Sequence, residues 1–188
     1  PKRRLMCRQN KKEEELPVDQ IRLHRLVRRA KRGDGSAMAE ALALLEPQLM
    51  RAALCLLRNE ERALEALSET ACRAFEALHT LRQDRYFATW TTKILLNVCK
   101  DELRRSGRLC PLETWEEPAV EEDTQGALEL RAAVEQLPDE LRELVVLRFF
   151  CDRTVAEAAR LLDIPEGTAK TRLRRALQFL RAELEVEE

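Results

Sequence analysis

Glycine is scarce in this chain, at five of 188 residues, and aromatic side chains make up only 4%. There is no glycine-rich phosphate loop, which argues against a nucleotide-binding enzyme. There is no nucleophile motif and no clustered set of His, Asp and Glu, so catalysis by this chain is not expected. Strand-like alternation is almost absent, which argues against a sheet. The two histidines do not cluster with the six cysteines, at 7, 55, 72, 99, 110 and 151, and no cysteine pair has C-x-x-C spacing. Neither a zinc site nor a cofactor is expected. No apolar run is long enough to cross a membrane and no signal peptide is visible, so a reducing cytoplasm is the expected setting. Cys55, Cys72, Cys99 and Cys151 lie in helical, largely apolar contexts and are expected to act as small buried hydrophobes.

Leucine and alanine are abundant instead, and they point to an all-α protein. Net charge is −1, yet charge is unevenly placed. Residues 1–32 carry twelve basic and four acidic residues, and residues 82–108 carry seven and three. Residues 113–125 hold six acids and no base. Local patches of this kind, rather than net charge, form the footprint of a nucleic-acid-binding protein.

Helices are expected over about 18–32, 36–58 (with Pro47 as a possible bend), 62–79 and 87–105. Residues 1–17 read as a basic flexible tail. Residues 107–126 contain Pro111, Pro118, Gly126 and the acid run, and read as a flexible acidic linker. A second unit, 127–186, follows with helices over 127–136 and 138–150 and then a helix-turn-helix. The expected architecture is therefore two small helical domains, and the linker predicts that they move independently until a partner fixes them.

The clearest motif runs from Thr154 to Phe179. Thr154 and Glu157 have capping-box spacing. Asp163-Ile164-Pro165 breaks the first helix. At about 100° per residue, the second helix places Ala169, Leu173, Ala176, Leu177, Leu180 and Leu184 on one stripe. Lys170, Thr171, Arg174, Arg175, Gln178 and Arg181 fall opposite. Five basic residues against one acid over 166–181 set this apart from an ordinary solvated face. An anchored helix with an arginine-rich outer face suits the DNA major groove.

The helix over 87–105 carries a second pattern. Lys93, Asn97, Lys100 and Arg104 share a face. Phe87, Thr91, Ile94 and Val98 share another, with Trp90 at the border. Cations and an amide beside the loop residues Arg82, Arg85 and Tyr86 are what single-strand binding uses. Phe87 and Trp90 are individually more often core anchors than base platforms. On the helix before it, Glu65, Glu69 and Arg73 share a face at i, i+4, i+8, a pattern that also fits a plain solvated Glu–Arg pair.

Together these segments resemble a bacterial RNA polymerase sigma factor of the sigma-70 family, in the extracytoplasmic-function group. The matching stretches are FATWTTKILLNVCKDELRR at 87–105, LPDELRELVVLRFF at 137–150 and TVAEAARLLDIPEGTAKTRLRR at 154–175, with LVRRAKRGD at 26–34 fitting the start of the first domain. The ordered combination is far more specific than the helix-turn-helix alone. The resemblance implies region two over 18–106 and region four over 127–186. It implies that Asn97 and the 82–86 loop line a pocket for a flipped minus-ten base. Lys170, Thr171, Arg172, Arg174 and Arg175 fall on the minus-thirty-five contact positions. Glu65, Glu69 and Arg73 fall where the family docks on the clamp helices of the largest polymerase subunit. The implied partners are core RNA polymerase (clamp helices and flap), promoter DNA and an anti-sigma factor, commonly membrane-tethered, which could hold the chain at the inner membrane face. No small-molecule substrate and no membrane insertion are implied.

The chain departs from the family pattern at Ser68 (usually glutamine), Ala71 (usually aromatic), Leu64-Glu65 (usually richer in aspartate) and Thr91 (usually apolar). Two other readings compete. A helix-turn-helix regulator acting without polymerase leaves the 87–105 helix and the acidic linker unexplained. A sigma-like decoy that binds only an anti-sigma protein predicts loss of the basic face, yet Lys170, Arg174 and Arg175 remain.

Overall fold

The computed structural model describes residues 18–106 and 125–185, and every regular element among them is helical. The tail at 1–17 and most of the acidic linker lie outside the described residues. The first half comprises α1 (Val18–Ala30), α2 (Gly35–Leu57), α3 (Glu60–Ala77) and α4 (Phe87–Ser106), with short 3-10 turns at Leu78–Thr80 and Asp84–Tyr86 between the last two. The second half comprises α5 (Gln125–Gln136), α6 (Asp139–Val145), a π turn over Val146–Phe150, α7 (Val155–Leu161) and α8 (Glu166–Glu185). Helix α5 thus starts inside the segment expected to link the halves.

Side-chain caps mark several helix starts. Asp34 Oδ1 accepts the Ala37 amide at 3.1 Å, and Asn59 Oδ1 accepts the Arg62 amide at 2.9 Å. Each satisfies a backbone donor that the first helical turn leaves free. Gly33 turns the chain between α1 and α2 at φ 94°, a conformation that suits glycine. Pro47 sits within α2, which continues past it to Leu57.

In the first half, Leu26 and Val27 of α1, Met38, Ala41, Leu45 and Leu49 of α2, and Phe87 and Leu95 of α4 are buried together. Phe87 is fully enclosed, so it is the anchor that the sequence favoured over a base platform. Thr91 is also fully buried, and its hydroxyl donates to the Phe87 carbonyl at 2.9 Å. That bond satisfies a polar group in an apolar place and explains how threonine is tolerated there. In the second half, Ala133, Val134, Leu137, Val145, Ala176 and Leu180 form a smaller core. Beside it, Arg142 is buried, donating to the Leu137 and Glu135 carbonyls and to Asp139.

In this structure the two halves lie in contact. Leu144, Val146, Leu147, Cys151, Ala158 and Leu161 belong to the same buried cluster as the helices of the first half. Polar bridges flank this seam, among them Arg58 Nη2 to the Glu135 carbonyl and Arg153 Nη1 to Thr89 Oγ1 at 3.0 Å. The halves thus carry apolar faces that bury each other in this structure.

Two expectations about cysteine differ in outcome. Cys99 and Cys151 are buried, and burial pushes their thiols up to about 12 and about 11. Cys72 is exposed, contrary to that expectation, and lies beside the open space between α2 and α3. Cys55 is half-buried.

Candidate nucleic-acid interface

Helix α8 is positioned by α7 and the turn before it. The Thr154 and Glu157 capping box forms in both directions, with Thr154 N donating to Glu157 Oε2 at 2.9 Å and Glu157 N to Thr154 Oγ1 at 3.2 Å. Asp163 takes a left-handed conformation, φ 55°, at the turn. Ala169, Ala176 and Leu180 then pin α8 through its buried side. Leu177, expected on that stripe, is 36% exposed instead. Lys170, Thr171, Arg174, Arg175, Gln178 and Arg181 are all exposed, as their spacing predicts.

Within that face the residues differ. Lys170 Nζ pairs with Glu166 Oε1 at 2.6 Å, and this contact lowers the Glu166 pKa. The Thr171 hydroxyl donates to the Gly167 carbonyl at 3.0 Å. Arg172 does not join the outer face. It is half-buried and pairs with Glu140 of α6 at 2.5 Å, so it braces α8 against α6.

On α4, Asn97 and Arg104 are exposed, while Lys93 and Lys100 are half-buried. Lys93 Nζ donates to the Leu161 carbonyl at 2.5 Å and to Asp163 Oδ2 at 2.9 Å. Lys100 pairs with Glu143 at 3.2 Å, and Arg104 with Asp101 at 3.5 Å. Trp90 is half-buried and lies 5.9 Å from Phe87, ring centre to ring centre. In the loop, Arg82, Arg85 and Tyr86 are exposed, and the Arg85 guanidinium stacks on the Tyr86 ring at 4.8 Å. The loop is held by residues that the sequence reading passed over. Lys31, in the turn just after α1, binds the Leu81 carbonyl and Asp84 Oδ1, each at 2.6 Å. Arg28 reaches Asp84 at 3.5 Å. The signal was present as a basic run at the end of α1 and just beyond it, but the partner of Lys31 lies fifty residues away.

On α3, Glu69 and Arg73 pair at 2.7 Å, and Arg73 also reaches Asp101 at 3.6 Å. Glu65, Glu69 and Arg73 line one groove of about 320 Å³ with α4 residues Val98, Glu102 and Arg105. A larger apolar trough of about 540 Å³, also unanticipated, opens between α2 and α3 beside Leu42, Leu67 and Ala71. Leu64 and Phe75 stand at its edge, 50% and 54% exposed. The clue was Ala71, a small residue where the family carries a ring.

Among the described residues no group of three or more His, Cys, Asp or Glu could hold a metal ion. No helix among them is long and apolar enough to cross a membrane. The arrangement offers cations, an amide and solvent-facing arginines, groups of the kind that bind phosphates and base edges.

Comparison with known proteins accords with this geometry. Residues 42–109 match the Sigma-70 region 2 family, and residues 127–180 match Sigma-70, region 4. The chain is 25% identical over 183 residues to the ECF RNA polymerase sigma factor SigW of Bacillus subtilis, covering 88% of this chain and 98% of that one. It is 32% identical over 148 residues to the ECF RNA polymerase sigma factor SigM of Mycobacterium tuberculosis, covering 77% and 75%. Its fold is that of the sigma factor RpoE in complex with the anti-sigma factor NepR from Bartonella quintana, with a TM-score of 0.71 at 22% identity over 80% of this chain and 98% of that one. CnrH in complex with the cytosolic domain of CnrY is similar, with a TM-score of 0.69 at 23% identity over 89% and 99%. With both regions matched in order, and with relatives at this identity and coverage, the chain belongs to the sigma-70 family of RNA polymerase sigma factors, in the extracytoplasmic-function group.

Proposed function

We propose that this sigma factor brings core RNA polymerase to promoters by holding DNA at two places. Residues 127–186 act as region four, and Lys170, Thr171, Arg174 and Arg175 of α8 contact the minus-thirty-five duplex. Arg172 supports them by bracing α8. Residues 18–106 act as region two, and α4 with the 82–86 loop holds the melted minus-ten strand, with Asn97 reading an extruded base. Arg82, Arg85, Lys93, Lys100 and Arg104 track phosphates, and Tyr86 and Trp90 supply ring surface. Glu65, Glu69 and Arg73 form the polymerase-docking side of α3. The polymerase supplies the catalysis, and this chain supplies promoter choice and strand capture.

The observation that carries this reading is the sorting of α8. Its buried side is alanine and leucine, and its outward side presents Lys170, Arg174, Arg175 and Arg181 to solvent. Cations spaced along one helix face meet successive phosphates and base edges in a major groove. An anti-sigma factor is the regulator this reading implies, since RpoE was solved with the anti-sigma factor NepR. The reading places the chain in the cytoplasm, where a membrane-anchored anti-sigma factor would hold it at the inner membrane face.

Run-off transcription with purified core polymerase on a supercoiled promoter library tests the proposal. Discrete transcripts that require this chain are expected. Core polymerase that retains its background pattern with the chain added would contradict it.

A further inference from the structure

The loop assigned above to the melted strand is fastened from outside itself. Lys31 Nζ donates to the Leu81 carbonyl and to Asp84 Oδ1, so one ammonium group ties both ends of the stretch 81–84. Between those anchors Arg82 and Gln83 stand exposed. Arg28 of α1 reaches the other carboxylate oxygen, Asp84 Oδ2, at 3.5 Å. The tie has a firm base. Lys31 N donates to the Val27 carbonyl at 3.0 Å, and Leu26, Val27 and Ala30 are buried in the core of the first half. Leu81 is buried too and gives the loop an apolar anchor. Beyond Leu81 there is little packing, since Arg82, Gln83, Arg85 and Tyr86 are all exposed. A hollow of about 260 Å³ also opens beside Lys31, Met38, Leu78 and His79. A short exposed segment with space next to it depends on polar ties for its shape.

We propose that Lys31 is a positioning residue for strand capture: by tying Leu81 and Asp84 to the end of α1, it fixes the arch that presents Arg82 and Gln83 to the strand. This rests on the reading of the 82–86 loop given above. Asp84 is the only acid between Leu78 and Phe87. An unpaired carboxylate there would repel a polyanion, and Lys31 with Arg28 neutralises it. The same residue joins the loop to α4, because the Phe87 amide donates to the Asp84 carbonyl. Loop and helix are thus set from one point. The Lys31 and Asp84 side chains are only about a quarter exposed, at 27% and 25%, and the ammonium group adds a charge-assisted bond to a backbone carbonyl. Such a contact outweighs an ordinary surface pair. A loop already in its binding shape avoids the cost of ordering on contact, whereas a loosened loop binds in proportion to the time it spends in that shape.

The test uses holoenzyme assembled from the full chain and purified core polymerase, and a pool of single-stranded oligonucleotides with a randomised stretch. Sequencing the bound fraction gives the base preference at each position. Three variants are compared with the wild type: Lys31→Met, Lys31→Arg and Asp84→Ala. The preference is the readout that a merely cationic Lys31 would not move, because a lost phosphate contact weakens all strands alike. Lys31→Met is expected to flatten the preference on the order of fivefold, and Lys31→Arg, which keeps a cationic donor, to retain it. Asp84→Ala supplies a test of sign. It removes an acid from beside a polyanion, so charge alone predicts tighter binding of every strand, whereas lost positioning predicts a flattened preference. Assembly with core polymerase should be equal for all four proteins, which shows that each is folded. Uniformly weaker binding by Lys31→Met with the wild-type preference intact overturns the positioning role and leaves Lys31 a plain cation. A wild-type preference in Asp84→Ala overturns it as well. A wild-type holoenzyme that selects no base at any position overturns the proposal by removing the reading of the loop on which it rests.

Discussion

Lys93 and Asp163 join the middle of α4 to the turn that opens α8, Nζ to Oδ2 at 2.9 Å. The hydrogen bond from Lys93, and then its charge, holds the Asp163 carboxyl below the usual carboxylate range. A carboxylate lowered in the folded state favours that state above its ordinary pKa. The contribution fades as pH falls through the lowered value. Asp163 is therefore expected to help hold the halves together at neutral pH and to lose that role progressively once pH falls below about 4. Asp34 is held lower, at about 2, by the Ser36 hydroxyl, the Ala37 amide and Arg29, so the cap of α2 should outlast this loosening. Small-angle scattering should show the particle expanding on acidification before circular dichroism reports loss of helix. Expansion that merely coincides with helix loss would refute a separate acid-sensitive closure.

On α8, the Arg174→Ala/Arg175→Ala double variant should bind a minus-thirty-five duplex more weakly. A lost phosphate contact weakens all sequences alike, whereas a lost base contact costs about 1–3 kcal/mol and relaxes specificity at one position. Arg172→Ala should act differently. It frees Glu140 and loosens α8 on α6. The expected signature is faster hydrogen exchange in α8. Footprints over a set of duplexes, with exchange rates beside them, separate the two effects.

The cysteines should react in a fixed order. At pH 8 an alkylating reagent is expected to modify Cys72 well before Cys99 or Cys151, because reaction needs an accessible thiolate and burial raises both of the latter thiols. Mass spectrometry of a labelling time course checks this. Early modification of Cys151 would mean that the seam between the halves opens readily, since Cys151 lies in the buried cluster that spans it.

Arg142 is the side chain on which the end of α5 depends. Replacing it with methionine keeps much of its volume but removes the donors to the Glu135 and Leu137 carbonyls. Each hydrogen bond from a charged donor is worth about 1.5–3 kcal/mol, and a buried acceptor left unpaired adds to the loss. Arg142→Met should therefore speed hydrogen exchange through α5 and α6 while leaving α1 to α3 protected.

Much of this was legible in the sequence, and the exceptions have physical causes. The helices of both halves announced themselves through apolar periodicity and through caps such as Thr154 with Glu157, because those signals are local. Periodicity alone also set Arg172 apart from the outer face of α8, whereas the family resemblance grouped it with the DNA contacts. The structure agrees with the periodicity, since Arg172 turns toward Glu140. The seam was not legible. Its contacts, such as Lys93 with Leu161 and Arg153 with Thr89, join residues more than sixty positions apart. Nothing in the pattern of α4 says that half of its polar face is already engaged. The trough beside Ala71 escaped for a related reason, because a missing ring leaves no periodic signal, only space.

The central claim is that α4 captures the melted strand, and Asn97 is its sharpest point. Its amide is exposed, and it can donate to and accept from an unpaired base edge. Extruding that base costs a few kcal/mol, which pocket contacts must offset. The most direct measurement is the rate at which permanganate reactivity appears in the minus-ten region with holoenzyme carrying Asn97→Ala. The account predicts slower opening, near-normal upstream duplex protection and partial rescue on a premelted template. Opening at the wild-type rate would contradict it and would remove Asn97 from the strand-reading site.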